Sequence, residues 1–175
     1  MNEREVTKMF IDLVDEGKCP DPSLDHRHFY GKTWIPKQIS PNEYQFSIER
    51  HPHLFGRPSV GKPSSAFARI EKTFILNTVT RTIEFGESTL LGIEFDYELL
   101  AEEEVESWEY VGMLPTEEIA TLQSEEECRK YTKDFLDNLD LEESYITDYD
   151  LPENFMEKLK LAIVDEIILK WKRGY

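Results

Sequence analysis

The order in which two apolar periods occur constrains this 175-residue chain most. A period near 3.6 opens the chain, a period of two dominates its middle, and a period near 3.6 returns at the end. The first period is that of a helix with one buried face; the second is that of a half-buried strand. Helix, then strands in a run, then helices predicts an α+β protein and not a doubly wound parallel sheet.

The elements follow from this pattern. Val6, Met9, Phe10, Leu13 and Val14 recur at helical spacing over residues 3–16, and Gly17 is a stop signal. Residues 17–28, rich in Pro, Asp and Ser, read as loop. Thr33 to Ile35 reads as a short edge piece limited by Pro36. Tyr44, Phe46 and Ile48 alternate with polar residues, as a strand does. His51 to Ser65 holds three prolines and two glycines and reads as a long loop. Residues 66–74 fit helix or strand, and Thr73 to Thr80 is β-branched. Arg81 to Phe85 reads as a strand with a turn at Gly86 and Glu87. Leu91, Ile93, Phe95, Tyr97 and Leu99 alternate with Gly92, Glu94, Asp96 and Glu98, which predicts a strand with one acidic face. Val105 to Met113, with Trp108 and Tyr110 on one face, completes about five antiparallel strands.

Two helices are expected after Pro115. Ser124 and Glu127 form a capping-box pattern ahead of Cys128, Tyr131, Phe135 and Leu139. Asp150 and Pro152 suit the start of a last helix that carries apolar residues from Phe155 to Trp171 and ends in Lys170, Lys172 and Arg173. The layout is one α+β domain over residues 1–175, with an N-terminal helix, an antiparallel sheet and two C-terminal helices.

Composition narrows the class. A hydrophobic content of 39% is too high for a disordered chain. No apolar run approaches the roughly 18 residues of a membrane span, so no membrane partner is expected. The opening Met-Asn-Glu-Arg-Glu-Val reads as an amphipathic helix rather than a signal peptide. A cytoplasmic setting is the resulting expectation. Cys19 and Cys128 are too few for a disulfide framework and read as free thiols.

Charge is unevenly placed. Residues 1–90 hold 12 acids and 12 Lys or Arg, whereas residues 91–175 hold 24 acids and 8 Lys or Arg. The second half therefore carries the whole formal charge of -16. Such a field repels nucleic acid phosphate and attracts basic proteins. It also promotes solubility without any partner.

Three features bear on chemistry. Gly56-Arg57-Pro58-Ser59-Val60-Gly61-Lys62 matches the first part of a phosphate-binding loop. Pro63 stands where the magnesium-holding hydroxyl belongs, so nucleotide hydrolysis is not expected. The four histidines form two His-x-His pairs, His26 with His28 and His51 with His53. On extended backbone each pair offers two imidazoles to one side, which suits a divalent metal such as zinc. Glu94, Asp96, Glu98, Glu102, Glu103 and Glu104 form the densest run of acids and the candidate partner-binding surface.

The leading expectation is a non-enzymatic binding, inhibitor or assembly protein that engages a basic protein through its acidic half, without a cofactor. A small metal-dependent enzyme built on the histidine pairs is the first alternative. A small-ligand binder with Trp34, Trp108 and Tyr110 as pocket walls is the second.

Overall fold

Asn2 begins the first helix because its side chain accepts a hydrogen bond from the Glu5 N–H, while the Glu5 carboxylate accepts one from the Asn2 N–H, both at 2.9 Å. Two otherwise orphaned donors are thereby satisfied. Helix α1 spans Glu3–Asp15 and buries Val6, Phe10, Leu13 and Val14. Gly17 ends it in the left-handed region at φ 74°. The computed structural model describes residues 1–25, 35–55 and 63–175.

Four strands follow: β1 (Lys37–Ser40), β2 (Glu43–Arg50), β3 (Ala66–Asn77) and β4 (Thr82–Phe95). They form one antiparallel sheet in the order β1-β2-β3-β4. The fold is α+β as expected, with four strands instead of about five. Residues 66–74, which fit either state, are strand. In β2 and β3 the register sets Tyr44 opposite Leu76 and Phe46 opposite Phe74. Helix α1 packs on this face, with the Phe10 ring stacked 4.0 Å from that of Phe46. Ile48, Leu76 and Ile83 join the same buried cluster.

The β3–β4 turn lies at residues 78–81, not at Gly86 and Glu87. Asn77 Oδ1 accepts from the N–H groups of Val79 and Thr80, each at 3.0 Å. Arg81 then takes the left-handed conformation, φ 54°. Gly86 sits inside a continuous β4 for another reason. A Cβ there would stand 2.2 Å from Thr73 Oγ1, whose hydroxyl donates to the Glu87 carbonyl at 2.7 Å.

The strand expected over Leu91 to Leu99 stops at Phe95. Asp96 caps a helix instead, accepting from the Leu99 N–H at 3.0 Å. Helix α2 (Tyr97–Tyr110) replaces the strand expected over Val105 to Met113. Its buried residues Leu100, Ala101, Val105 and Trp108 recur at helical spacing. Trp108 and Tyr110 consequently do not share a face: Trp108 is 4% exposed and Tyr110 is 92% exposed. Gly112, at φ 71°, lies in the turn that follows.

The expected pair of late helices is present as α4 (Glu125–Asp137) and α5 (Phe155–Lys172), and a short α3 (Thr116–Ala120) precedes them. Ser124 Oγ accepts from the Glu127 N–H at 3.1 Å, but Glu127 reaches the N–H of Gln123 and not that of Ser124. Asp150 does not cap α5, which begins beyond it, behind Asn154. The apolar face of α5 packs against α2 and α4.

The chain divides into two compact units. Met1–Pro52 with Ala68–Gly92 form the first; His53–Phe67 with Ile93–Tyr175 form the second. The first contains α1, β1, β2 and most of β3 and β4. The second contains α2 to α5. No helix among the described residues is long and apolar enough to cross a membrane.

Candidate functional site

The acidic run falls on three kinds of backbone. Glu94 is exposed on β4, Asp96 is the cap of α2, and Glu98, Glu102, Glu103 and Glu104 lie within α2. The expected acidic strand face of Glu94, Asp96 and Glu98 therefore does not form, because the backbone turns into a helix at Asp96. Helical spacing sorts the remaining acids. Glu98 and Glu102, four residues apart, share an exposed face. Glu103 and Glu104 are half-buried and face a cleft.

That cleft has a volume of about 390 Å³ and lies wholly within the second unit. Leu54, Phe55, Leu100 and Ile146 supply apolar wall. Glu103 accepts from the Ser65 hydroxyl at 2.7 Å, and Glu104 accepts from the Tyr145 hydroxyl at 2.6 Å. Burial, the bond to Glu104 and the charge of Glu103 push the Tyr145 hydroxyl well above the usual tyrosine range. It stays protonated and remains a donor. The Phe55 ring meets Tyr145 edge-on at 4.9 Å, and both rings pack on Phe155. An aromatic cluster thus anchors Glu104 through Tyr145, while Ser65 anchors Glu103, and both carboxylates line the cleft.

Elsewhere in this unit basic side chains are already engaged. Lys170 donates to Glu109 at 2.7 Å, and the Tyr175 hydroxyl donates to the same oxygen at 2.5 Å. Burial alone would push the Glu109 carboxyl up, but these bonds outweigh it and hold the group below the usual range. Lys172 pairs with Glu125 at 2.9 Å, and Arg129 pairs with Glu125 and Asp165. Glu166 is different. Burial pushes its carboxyl up, and the charges of Glu102 and Glu106 add to that shift against Lys170 and Arg173.

The other sequence features that lie on described residues make local contacts. His51 Nε2 lies 3.0 Å from Glu49 Oε1, which also accepts from Arg69 Nε at 2.7 Å. His53 Nδ1 lies 2.6 Å from the Ser64 hydroxyl. His26 and His28, Trp34 and the segment from Gly56 to Lys62 are outside the described residues. Among the described residues no group of three or more His, Cys, Asp or Glu could hold a metal ion. Cys19 and Cys128 are free, and burial pushes both thiols up. Trp108 belongs to the core, its ring edge-on to Phe135 at 5.8 Å.

Sequence reading missed the cleft because its residues come from three distant stretches, near Leu54, Leu100 and Tyr145. The nearest signal was a tyrosine set in the acidic connector between α4 and α5. No family model, curated protein or solved structure matches the chain.

Proposed function

We propose that this chain is a non-enzymatic protein-binding protein, of inhibitor or assembly type, that engages a basic protein partner through its acidic C-terminal half. The observation that carries this reading is the charge imbalance of residues 91–175, 24 acids against 8 Lys or Arg. Three of those eight cations, Arg129, Lys170 and Lys172, are spent on internal ion pairs. Glu98 and Glu102 stay exposed on one helix face. A field of this sign draws in a cationic partner and speeds encounter.

The cleft supplies the specific contact in this reading. A lysine or arginine of the partner lays its aliphatic stem on Leu54, Phe55 and Leu100 and its charged head against Glu103 and Glu104. Long cationic side chains bury their stems and keep their heads on polar groups in this manner. Nucleic acid is not a ligand of this half, because phosphate is repelled by the same field.

The test uses the full chain and a synthetic arginine- and lysine-rich peptide, followed across a salt series. Binding is expected to weaken with salt, since exposed charges are screened beyond about 8 Å at physiological ionic strength. Glu103→Gln with Glu104→Gln keeps hydrogen-bond acceptors but removes charge, and is expected to weaken binding about tenfold or more. Glu98→Lys with Glu102→Lys is expected to slow association and leave folding unchanged. Salt-independent binding that ignores both pairs of substitutions would overturn the reading.

A further inference from the structure

Among the described residues, the last strand of the sheet is an open edge. β4 runs for 14 residues, Thr82–Phe95, and no described strand lies beyond it. From Thr82 to Leu91 every residue except Ile83 and Gly86 is exposed. Phe85, Leu90 and Leu91 are 57%, 48% and 46% exposed. Edge strands are usually guarded by lysine, proline or brevity. β4 has no Lys, Arg or Pro, and its only charges are Glu84, Glu87 and Glu94.

We propose that β4 is a self-association edge, where a second copy of this chain pairs antiparallel about Ser88 to continue the sheet. The positions of the glutamates select this register. In a two-fold pairing centred on Ser88, Glu87 faces Thr89, Glu84 faces Gly92, and Phe85 faces Leu91, each contact occurring twice. No carboxylate opposes another, and the exposed aromatic ring meets an exposed leucine on the same sheet face. Aromatic–aliphatic cross-strand pairs stabilise a sheet, and like charges directly opposite destabilise it. A two-residue slide one way sets Glu87 against its own copy; the other way it sets Glu84 against Glu94. A one-residue slide turns each side chain to the wrong face.

Charge balance explains why the second copy docks here. Residues 1–90 carry equal numbers of acidic and basic side chains, so copies meeting through this stretch face no net repulsion. The excess of acids after residue 91 disfavours self-contact through the other half.

Sedimentation of the full chain over a range of concentrations tests the proposal. Wild type is expected to form a concentration-dependent dimer. Thr89 is exposed, and charging it reads the register directly. Thr89→Glu sets a carboxylate against Glu87 of the second copy at two places and is expected to weaken the dimer by roughly 2- to 30-fold. Thr89→Lys sets a cation there and is expected to tighten it. Thermal melting of the dilute monomer checks that both variants fold as wild type does. A chain that stays monomeric at every concentration would overturn the proposal and leave the edge to a different strand. A dimer that responds alike to Glu and Lys at position 89 would overturn it too.

Discussion

In the first unit one buried carboxylate is held low by the groups around it, although its Oδ2 has no hydrogen bond and only Lys72 at 3.5 Å; in the second a half-buried carboxylate is pushed up, with two other carboxylates adding to the shift. Asp21 is 7% exposed. Burial pushes its carboxyl up, yet hydrogen bonds from the Ser23 N–H and hydroxyl, with the charges of Lys72 and Arg50, more than offset this and hold it low. Glu166 has Lys170 and Arg173 to help it, but burial, Glu102 and Glu106 prevail, and its carboxyl is raised. In the helical unit Glu166 keeps an unfavourable charge, whereas Glu109 and Glu125 are held low by their cationic partners. The difference teaches where to expect large effects of packing and where to expect small effects of charge.

The largest expected effect is on the sheet unit's core. Phe10 is fully buried between α1 and the sheet, stacked on Phe46 and 6.3 Å from Phe74. Phe10→Ala is expected to cost about 3–5 kcal/mol in denaturant unfolding. A loss below 1 kcal/mol would mean that this core does not carry the unit. Gly86→Ala comes next, at about 1–3 kcal/mol, because its new Cβ collides with Thr73 Oγ1. Adding Thr73→Ala removes the colliding oxygen, so the double variant is expected to lose less than the two single losses combined. Strict additivity would break the steric account.

The smallest effect sharpens the comparison from the acidic side. Glu166→Gln removes a charge that the fold disfavours, and is expected to stabilise by roughly 0.2–0.5 kcal/mol at neutral pH, as for like-charge neighbours on a helix. The sign with pH follows from linkage. An acid with a raised folded-state pKa lowers stability while ionised, and that loss is relieved as pH falls through the raised value towards the ordinary one. The advantage of the Gln variant is therefore expected to shrink on acidification over that window. Thermal melts of both proteins from neutral to mildly acid pH would reveal an advantage that instead grows.

Local pattern made the sheet unit readable. Val6, Phe10, Leu13 and Val14 trace one helix stripe, and Tyr44, Phe46 and Ile48 alternate cleanly, because each element buries one face only. The helical unit hid its first helix. Alternation through Leu91, Ile93 and Phe95 is real strand, and Tyr97 and Leu99 prolong it by coincidence past the point where Asp96 turns the backbone. Asp96 followed by Glu98-Leu99-Leu100-Ala101-Glu102 was the competing signal, a helix cap ahead of strong helix formers. The candidate cleft was illegible for a different reason. Glu103 and Glu104 stood out as acids, but their partners Ser65 and Tyr145 lie 38 and 41 residues away in sequence, beyond any local period.

The division of the chain also bears on how the protein is made. Each unit is assembled from two separate stretches, so the polypeptide passes from one to the other at Pro52, Phe67 and Gly92. On the ribosome the sheet unit lacks its second stretch until Gly92 has emerged. Residues 53–67 appear before that, yet belong to a unit whose remaining residues are still untranslated. A single cut after Gly92 leaves every residue of the sheet unit on one piece but strips residues 53–67 from the helical unit, so synthesis completes the sheet unit first and the helical unit last.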